Sequence, residues 1–429
     1  MNISKKPAIL ITAAVIIVVA AYVFLVGFRL PDFITGNNQP GKTPKPVAFL
    51  KAPEGFIVSA FAKNLNDPRV IAFDSEGRML VSEPAEGKVL VLEDKNKDGV
   101  SDETKVLLEG LNKPHGLAFY TDSKTETVYL YVAETNQVAR YIYDEKSGAI
   151  LEQNKTGQNI ANLPADGEHF TRTIEFGPNY QTQPIVPGVA EETMSPVKLY
   201  ISVGSSCDVC IEDTWKRAAI LESDPDGSYT AELAGGLRNS VFFTFHPETN
   251  QMWATEMGRD ELGPNLPPDE INIIKPGKKY GWPFCYGKQI KDKSFSPAKI
   301  NRTDIPQDCN LTQPPVIEIP AHSAPLGLAF VDSSLWLGDW QNNLLVAYHG
   351  SADGQETRQP KIVRFKIGAD GRSVGAEEDF ITGWSDGNPS TSSGHEINGR
   401  PVDLKFGPDG ALYVSDDYSG QIYKVERAK

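Results

Sequence analysis

One short pattern recurs six times along the chain, and it constrains the fold more than any other feature. Each copy is a β-strand that ends in Phe, a polar turn, a second strand, and then a small or polar residue. The six copies begin at Arg69, His115, Arg172, Arg238, Pro325 and Arg400. Repeats spaced by tens of residues in an all-β pattern are typical of propeller blades. The sequence therefore predicts an all-β fold, a six-bladed β-propeller over residues 51–429.

The Phe that closes the first strand falls at one repeated position, which is occupied by Phe73, Phe119, Phe176, Phe245, Phe330 and Phe406. We expect these rings to pack between blades, and we assign them no chemistry. Three segments widen the spacing between copies and are predicted to form loops on one face, namely residues 177–197, 256–310 and 350–399.

An uncharged apolar run covers residues 7–28 and is long enough to cross a bilayer. Because Lys5 and Lys6 precede it, the positive-inside rule predicts that residues 1–28 are a cytoplasmic stub plus a transmembrane anchor. The alternative is a cleaved signal peptide, although the run is longer than usual and no clean cleavage motif closes it. Residues 29–50 are rich in Pro, Gly and Asn, as expected of a linker. The propeller is thus predicted to be periplasmic or extracellular and tied to the membrane.

The four cysteines fit an exported chain with two disulfides. Cys207 and Cys210 form a C-x-x-C motif, which also occurs in redox and zinc sites. Neither a second such motif nor a histidine pair accompanies it. Pairing of Cys207 with Cys210 and of Cys285 with Cys309 is therefore the simpler prediction.

The residues just before the first strand of each repeat are cationic, although the chain has a net charge of −14. They are Arg69, His115, His169 with Arg172, Arg238 with Asn239, His322, and Arg400. The innermost strands of a propeller line its central axis, so these side chains are expected to converge there. Clustered like charges repel unless an anion neutralises them, which predicts an anion site on the axis. The acidic balance of the whole chain argues against nucleic acid as a partner.

Several separate motifs resemble the soluble glucose and sorbosone dehydrogenases, including the pyranose dehydrogenases. They are GLRN, TEMGRDELGPNLPPDEIN, YGWP, GEHFTRTIEFGPN and KLYISVGSSCDVC, and the resemblance spans roughly residues 53–427. That family consists of six-bladed propellers that use pyrroloquinoline quinone. The resemblance implies a cofactor with three carboxylates bound by arginines, and a calcium ion that polarises the quinone carbonyl.

The resemblance also assigns roles to individual residues. His169 matches the histidine that takes the proton of the sugar's anomeric hydroxyl. Arg238 and Asn239 match the pair that contacts the cofactor and the base, with Arg238 counted as catalytic, and Arg400 matches a cofactor-binding arginine. The remaining strand-start residues are cofactor-binding candidates by position, with a structural salt bridge as the alternative for each: Arg69, Arg172, His115 and His322.

Two places are candidates for the calcium that the resemblance implies. One is the pair Gly263 and Pro264, and the other is the turn at Gly258 and Arg259. The chain departs from the glucose branch after the fifth blade, where His349 and Gly350 stand in place of a lysine.

A second calcium candidate is the loop DKNKDGVSD, which resembles the first half of a calcium-binding loop. Its candidate ligands are Asp94, Asn96, Asp98 and Asp102. A charged, solvated turn is the alternative interpretation.

Together these features predict a membrane-anchored, exported quinoprotein that oxidises an aldose or related sugar by hydride transfer. Its expected cofactors are pyrroloquinoline quinone and calcium, and its expected partners are a sugar, an external electron acceptor and the membrane. A calcium-dependent lactone hydrolase is one alternative, but it needs several carboxylates on the axis. A non-catalytic propeller that binds a carbohydrate or a protein is the other.

Overall fold

The computed structural model describes residues 44–180, 196–298, 300, 302, 304–336, 338–351, 358–385 and 397–428. Within these residues the regular elements are β-strands and three short 3-10 turns, at Pro84–Glu86, Glu152–Asn154 and Cys309–Leu311. The strands form six antiparallel sheets of four or five strands plus one small hairpin. This arrangement confirms the predicted six-bladed β-propeller.

The first strand of the described chain, β1 (Phe56–Ala62), belongs to the last blade. Blade 1 contains β2 (Ile71–Phe73), β3 (Met79–Glu83), β4 (Lys88–Glu93) and β5 (Glu103–Leu108). Blade 2 contains β6 (Leu117–Thr121), β7 (Val128–Glu134), β8 (Gln137–Asp144) and β10 (Gln158–Asn162), with β9 (Ala149–Ile150) paired to β8. Blade 3 contains β11 (Ile174–Pro178), β12 (Val197–Val203), β13 (Ala219–Ser223) and β14 (Thr230–Gly235).

Blade 4 contains β15 (Phe243–Phe245), β16 (Met252–Glu256), β17 (Asp269–Ile274) and β20 (Ile317–Ile319). A separate hairpin of β18 (Cys285–Tyr286) and β19 (Ile290–Lys291) comes between β17 and β20 in the sequence. Blade 5 contains β21 (Pro325–Phe330), β22 (Leu344–Tyr348), β23 (Lys361–Ile367) and β24 (Val374–Ile381). Blade 6 contains β25 (Pro401–Phe406), β26 (Leu412–Asp416), β27 (Gln421–Arg427) and, outermost, β1.

Blade 6 closes the ring because it joins the two ends of the described chain. β1 pairs antiparallel with β27, and Phe56 lies opposite Arg427. The ring of Phe56 sits 4.8 Å from Trp336, 4.7 Å from Trp340 and 5.1 Å from Phe380, measured between centroids. The pairing of β1 with β27 and the aromatic cluster around Phe56 therefore both hold the first strand to the last blade.

The Phe56→Ala variant is expected to lower the free energy of unfolding by about 2 kcal/mol, because it removes one half-buried aromatic side chain from this closure. Urea unfolding followed by tryptophan fluorescence measures the change. Ile57→Ala is the matched control, since Ile57 lies on the same strand but is 43% exposed. A Phe56→Ala midpoint equal to that of the control would contradict a stabilising role for this cluster.

The predicted linker overlaps the propeller. Val47, Phe49 and Leu50 pack against the hydrophobic cluster of blades 5 and 6, and Lys51 bridges to Thr382. Contacts with the propeller thus begin before residue 51. The predicted anchor at residues 7–28 lies outside the described residues. In the described part of the chain, no helix is long and apolar enough to cross a membrane.

The repeated Phe residues pack as expected. Five of the six rings contact an aromatic ring in or beside the preceding blade, as Phe73 does with Tyr413 at 5.2 Å and Phe176 with Tyr131 at 5.0 Å. Phe119 instead meets Tyr143 of its own blade at 5.0 Å. Since five of the six rings pack between neighbouring blades, we interpret these Phe residues as packing positions.

The expectation of three loop insertions on one face was wrong for two of them. Residues 256–310 contain β17 and the hairpin, and residues 350–399 contain β23 and β24. β24 escapes sequence analysis because its exposed stretch AEED is charged, and β17 escapes it because the strand begins with two buried carboxylates, Asp269 and Glu270. The third segment joins β11 to β12, and its residues 181–195 lie outside the described residues.

Candidate active site

All six innermost strands begin at the same end of the propeller axis, which we call the upper face. Strand-start residues therefore meet there, together with the loops that join the second and third strands of each blade. The opposite end is the lower face. The candidate site lies on the upper face.

The carboxylate of Asp417 joins two of the cationic residues. It lies 2.5 Å from Arg69 Nη1 and 3.0 Å from His349 Nε2. Burial opposes ionisation, but the hydrogen bond from His349 and the charge of Arg69 lower the pKa of Asp417 to about 2. Arg400 Nη1 lies 3.4 Å from His349 Nδ1 and Arg400 Nη2 donates to the Ser351 carbonyl. His349, which stands where the glucose branch has a lysine, thus links Arg400 to Asp417.

His115 is completely buried between these groups and the next blade. Its Nδ1 lies 3.4 Å from the Thr173 hydroxyl, and its ring packs on Phe242 at 5.4 Å. Burial, assisted by the charge of Arg69, lowers the pKa of His115 well below its ordinary value, so the imidazole is neutral at pH 7. It is therefore a polar, uncharged part of the site.

His169 is held in one tautomer. Its Nδ1 lies 2.9 Å from the Ser205 carbonyl oxygen, which can only accept, so Nδ1 carries the proton and Nε2 is left unprotonated. The Ser205 hydroxyl, 3.1 Å away, donates to the Cys207 carbonyl and is a second acceptor for Nδ1. Burial, and then the nearby charge of Arg238, lowers the pKa of His169 to about 4. A neutral imidazole with a free Nε2 is suited to accept a proton near pH 7.

Arg172 points away from the axis and onto the backbone of the segment that carries His169. It is completely buried and donates to the carbonyls of His169 at 2.9 Å, Thr171 at 2.7 Å and Pro164 at 2.9 Å. Burial, followed by the charge of Arg217, lowers the pKa of Arg172 to about 9. The Arg172 guanidinium therefore holds the backbone of the segment that carries the candidate base.

Arg238 is buried among acceptors on two loops. Its Nε and Nη2 bind the carbonyl oxygen and the carboxylate of Asp208 at 3.0 and 2.9 Å, Nη1 binds the Gly258 carbonyl at 2.8 Å, and Nη2 also reaches Asp260 at 3.2 Å. Asn239 lies on the other side, where a Cβ at Gly204 would fall 2.6 Å from Asn239 Oδ1 and 2.7 Å from His169 Cβ. Only a glycine fits there, so Asn239 and the candidate base can lie close to one another.

Two buried donors of the arginines around Asp417 have no hydrogen-bond partner within the described residues, Arg69 Nε and Arg400 Nε. His115 Nε2 also lacks a partner there, and it donates or accepts according to the tautomer. Buried donors are normally satisfied, and a ligand with several carboxylates is chemically matched to them. The residues present therefore fit the anionic quinone that the sequence resemblance implies.

The predicted calcium ligands at Gly258, Arg259, Gly263 and Pro264 stay a prediction, and the structure shows the present partners of these residues. The Gly258 carbonyl accepts from Arg238, and the Gly263 carbonyl accepts from His322 Nε2 at 3.0 Å. Pro264 is exposed, and the Arg259 side chain is paired with Asp208 and Asp292. Two buried oxygens near this turn lack a partner among the described residues, Asn239 Oδ1 and Glu256 Oε2. Oxygen ligands of this kind suit a hard cation such as calcium.

His322 and the DKNKDGVSD loop lie apart from the axial groups. His322 has a left-handed backbone, with φ 62°, and it bonds the Gly263 loop. The loop of Asp94, Asn96, Asp98 and Asp102 joins β4 to β5 at the lower face. Its carboxylates accept backbone N–H groups of the loop itself, as Asp94 does from Gly99 at 2.8 Å. Calcium binding at this loop stays a prediction, and the loop has no place in the upper-face site.

Asp417 and Asp208 were not predicted from the sequence, because Asp417 follows a second strand and Asp208 lies in the loop after one, whereas the predicted cofactor ligands precede first strands. Glu256 and Asp416 end the second strands of their blades, so an acidic residue at this position was a usable signal. Both predicted disulfides, Cys207–Cys210 and Cys285–Cys309, are formed.

Comparison with known proteins agrees with this geometry. The sequence profile of the TrAA12-like family matches residues 50–428. A pyrroloquinoline quinone-dependent sugar dehydrogenase of Hypocrea jecorina (strain QM6a) is 25% identical over 451 residues, covering 96% of this chain and 96% of the relative.

Two solved structures share the fold. A calcium structure of Trichoderma reesei Carbohydrate-Active Enzymes Family AA12 has a TM-score of 0.68 and 22% identity, covering 92% of this chain and 100% of that chain. The holo form of the pyranose dehydrogenase PQQ domain from Coprinopsis cinerea has a TM-score of 0.66 and 23% identity, covering 90% and 98%. The chain therefore belongs to the TrAA12-like family, which confirms the resemblance to pyrroloquinoline quinone-dependent sugar dehydrogenases.

Proposed function

We propose that this chain is a quinoprotein that oxidises the C1 hydroxyl of an aldose or related sugar. The observation that carries the proposal is the upper-face site itself. A fixed imidazole with an unprotonated Nε2 lies on the same face of the propeller as Arg69 and Arg400, whose buried Nε donors lack partners among the described residues. Family membership and the sugar dehydrogenase among its relatives support the same reaction class.

The side chains divide into three roles. Arg69, Arg400 and His115 would hold the carboxylates of the quinone, with Asp417 and His349 fixing the two arginines. His169 Nε2 would take the proton of the anomeric hydroxyl, since its Nδ1 proton is committed to Ser205. When bound, pyrroloquinoline quinone would accept the hydride from C1. Calcium held by oxygens near Asn239 and Glu256 would make the carbonyl carbon of the quinone more electrophilic. The sugar leaves as a lactone, having lost one hydride and one proton.

We further propose that the propeller works outside the cytoplasm and is tied to the membrane. The support is the apolar run at residues 7–28 with Lys5 and Lys6 before it. Two disulfides also fit an oxidising compartment. The electrons would then pass to an external acceptor.

The test is turnover by the purified chain after addition of pyrroloquinoline quinone and calcium, with a panel of aldoses and a dye acceptor. We expect dye reduction with at least one sugar, loss of turnover on chelation, and recovery on adding calcium. Lactone hydrolysis by a protein that reduces no dye would favour the hydrolase alternative. Sugar binding without either reaction would favour the non-catalytic alternative.

The pH dependence of kcat/KM should show an acid limb near pH 4. His169 must be unprotonated to accept a proton, and its pKa is lowered to about 4. We therefore expect kcat/KM to stay constant between pH 5 and 7 and to fall only as the pH approaches 4. A free histidine would lose activity below about 6.5. Initial rates between pH 3.5 and 8, checked for enzyme stability at each pH, distinguish the two.

A further inference from the structure

Asp208 occupies a junction between the candidate base and the arginines of the site. It lies inside the ring closed by the Cys207–Cys210 disulfide, on the loop that joins β12 to β13. We call residues 205–212 the clip loop. The same loop supplies Ser205, which fixes His169.

Five contacts converge on Asp208. Its Oδ1 accepts from Arg238 Nη2 at 2.9 Å and from the backbone N–H of Asp260 at 2.7 Å, and its Oδ2 lies 3.3 Å from Arg259 Nε. Its carbonyl oxygen accepts from Arg238 Nε at 3.0 Å and from Trp282 Nε1 at 3.1 Å. One residue therefore ties together the clip loop, Arg238 and the loop after β16.

The clip loop is itself anchored from both sides. Ser205 donates its backbone N–H to the Arg238 carbonyl at 2.7 Å, and the buried carboxylate of Glu212 accepts from Ser206 N and Oγ at 2.6 and 2.9 Å. With the disulfide between these contacts, the backbone at Asp208 has little freedom. Its carboxylate is thus presented at a fixed place.

Asp208 is also the only carboxylate, among the described residues, that pairs with both Arg238 and Arg259. Arg259 keeps a buried carboxylate partner in Asp292, but the other carboxylate partner of Arg238 is Asp260, whose side chain is 65% exposed. Exposed ion pairs hold a side chain weakly. The orientation of Arg238 therefore depends mainly on Asp208.

We infer that Asp208 is a positioning residue that aims Arg238 beside His169, and that the clip loop serves to present it. This inference rests on the proposed function for its catalytic consequence. Without the Asp208 side chain, Arg238 keeps the carbonyls of Asp208 and Gly258 as acceptors, but its Nη2 retains only the exposed Asp260 carboxylate and can turn toward it and toward solvent. A displacement of about 1 Å in such a group lowers turnover by up to roughly 100-fold.

Three variants test the inference. Asp208→Ala removes all three contacts to the side chain, and Asp208→Asn keeps an acceptor oxygen for Arg238 and Asp260. Asp213→Asn is a control because Asp213 is exposed on the same stretch. We expect Asp208→Ala to lower kcat by about 10- to 100-fold with sugar KM changed by less than about threefold. Asp208→Asn should recover most of kcat, and the control should match the unsubstituted chain.

A second readout needs no cofactor. In apo protein labelled with ¹⁵N-arginine, the Nε–H proton of Arg238 should exchange slowly with solvent in the unsubstituted chain and rapidly in Asp208→Ala. The Arg238 signal is assigned by its loss in Arg238→Lys. An unchanged Arg238 signal, or equal kcat for Asp208→Ala and the control, would overturn the inference. A chain that binds no quinone refutes the proposed function instead, while the Arg238 signal still decides the role of Asp208.

Discussion

His169→Ala is expected to lower kcat/KM for aldose oxidation by about 10²- to 10⁴-fold, which is the usual contribution of a positioned general base. The reason is geometric. Nδ1 is held by Ser205, so Nε2 is the nitrogen left to accept a proton. Alanine removes it without creating a charge. Steady-state kinetics with the best aldose substrate and a dye acceptor measure the loss.

The same variant should leave quinone affinity within about threefold, because the unsatisfied cationic donors belong to Arg69 and Arg400. His246→Asn is the control, since His246 lies in the turn after β15 on the lower face. Its activity should equal that of the unsubstituted chain. Full activity in His169→Ala would remove this histidine from the mechanism.

Arg172→Met is expected to lower the free energy of unfolding by about 3 kcal/mol and to reduce turnover as well. Methionine fills similar space but leaves three carbonyls without a donor, at about 1 kcal/mol or more for each buried hydrogen bond lost. One of these carbonyls belongs to His169, so the candidate base should shift. Chemical unfolding and steady-state kinetics on the same preparation measure both effects.

Arg372→Met is the matched control, because Arg372 is exposed and its removal should change stability by less than about 0.5 kcal/mol. The free energy of unfolding of Arg172→Lys should lie between those of Arg172→Met and Arg372→Met, because an ammonium can reach fewer of the three carbonyls than a guanidinium. A loss of quinone binding in Arg172→Met, without loss of stability, would restore the original prediction that Arg172 binds the cofactor.

The inner half of each blade was predictable because its signals are local. An apolar strand, a polar turn and a closing Phe recur with the same spacing, and the antiparallel order then places every strand start on one face. The outer strands were harder, since a half-exposed edge strand such as β24 carries mostly charged residues.

Partners of the arginines were not predictable from sequence. Arg69 pairs with Asp417 across 348 positions of the chain, and the pair exists because the ring closes. Arg172 and Arg238 both precede the first strand of their blades, yet Arg172 binds backbone carbonyls and Arg238 binds Asp208. Which acceptor lies within reach depends on loop conformations that no repeat pattern encodes.

The most direct test of the proposed chemistry is a single-turnover experiment without an external acceptor. The apo chain is titrated with pyrroloquinoline quinone in the presence of calcium, and aldoses are then added under anaerobic conditions while the absorbance of the quinone is recorded. We predict saturable binding of one quinone per chain and its reduction by at least one aldose, with His169→Ala binding the quinone but failing to reduce it. Failure to bind the quinone, or a bound quinone that no sugar reduces, would contradict the proposed function.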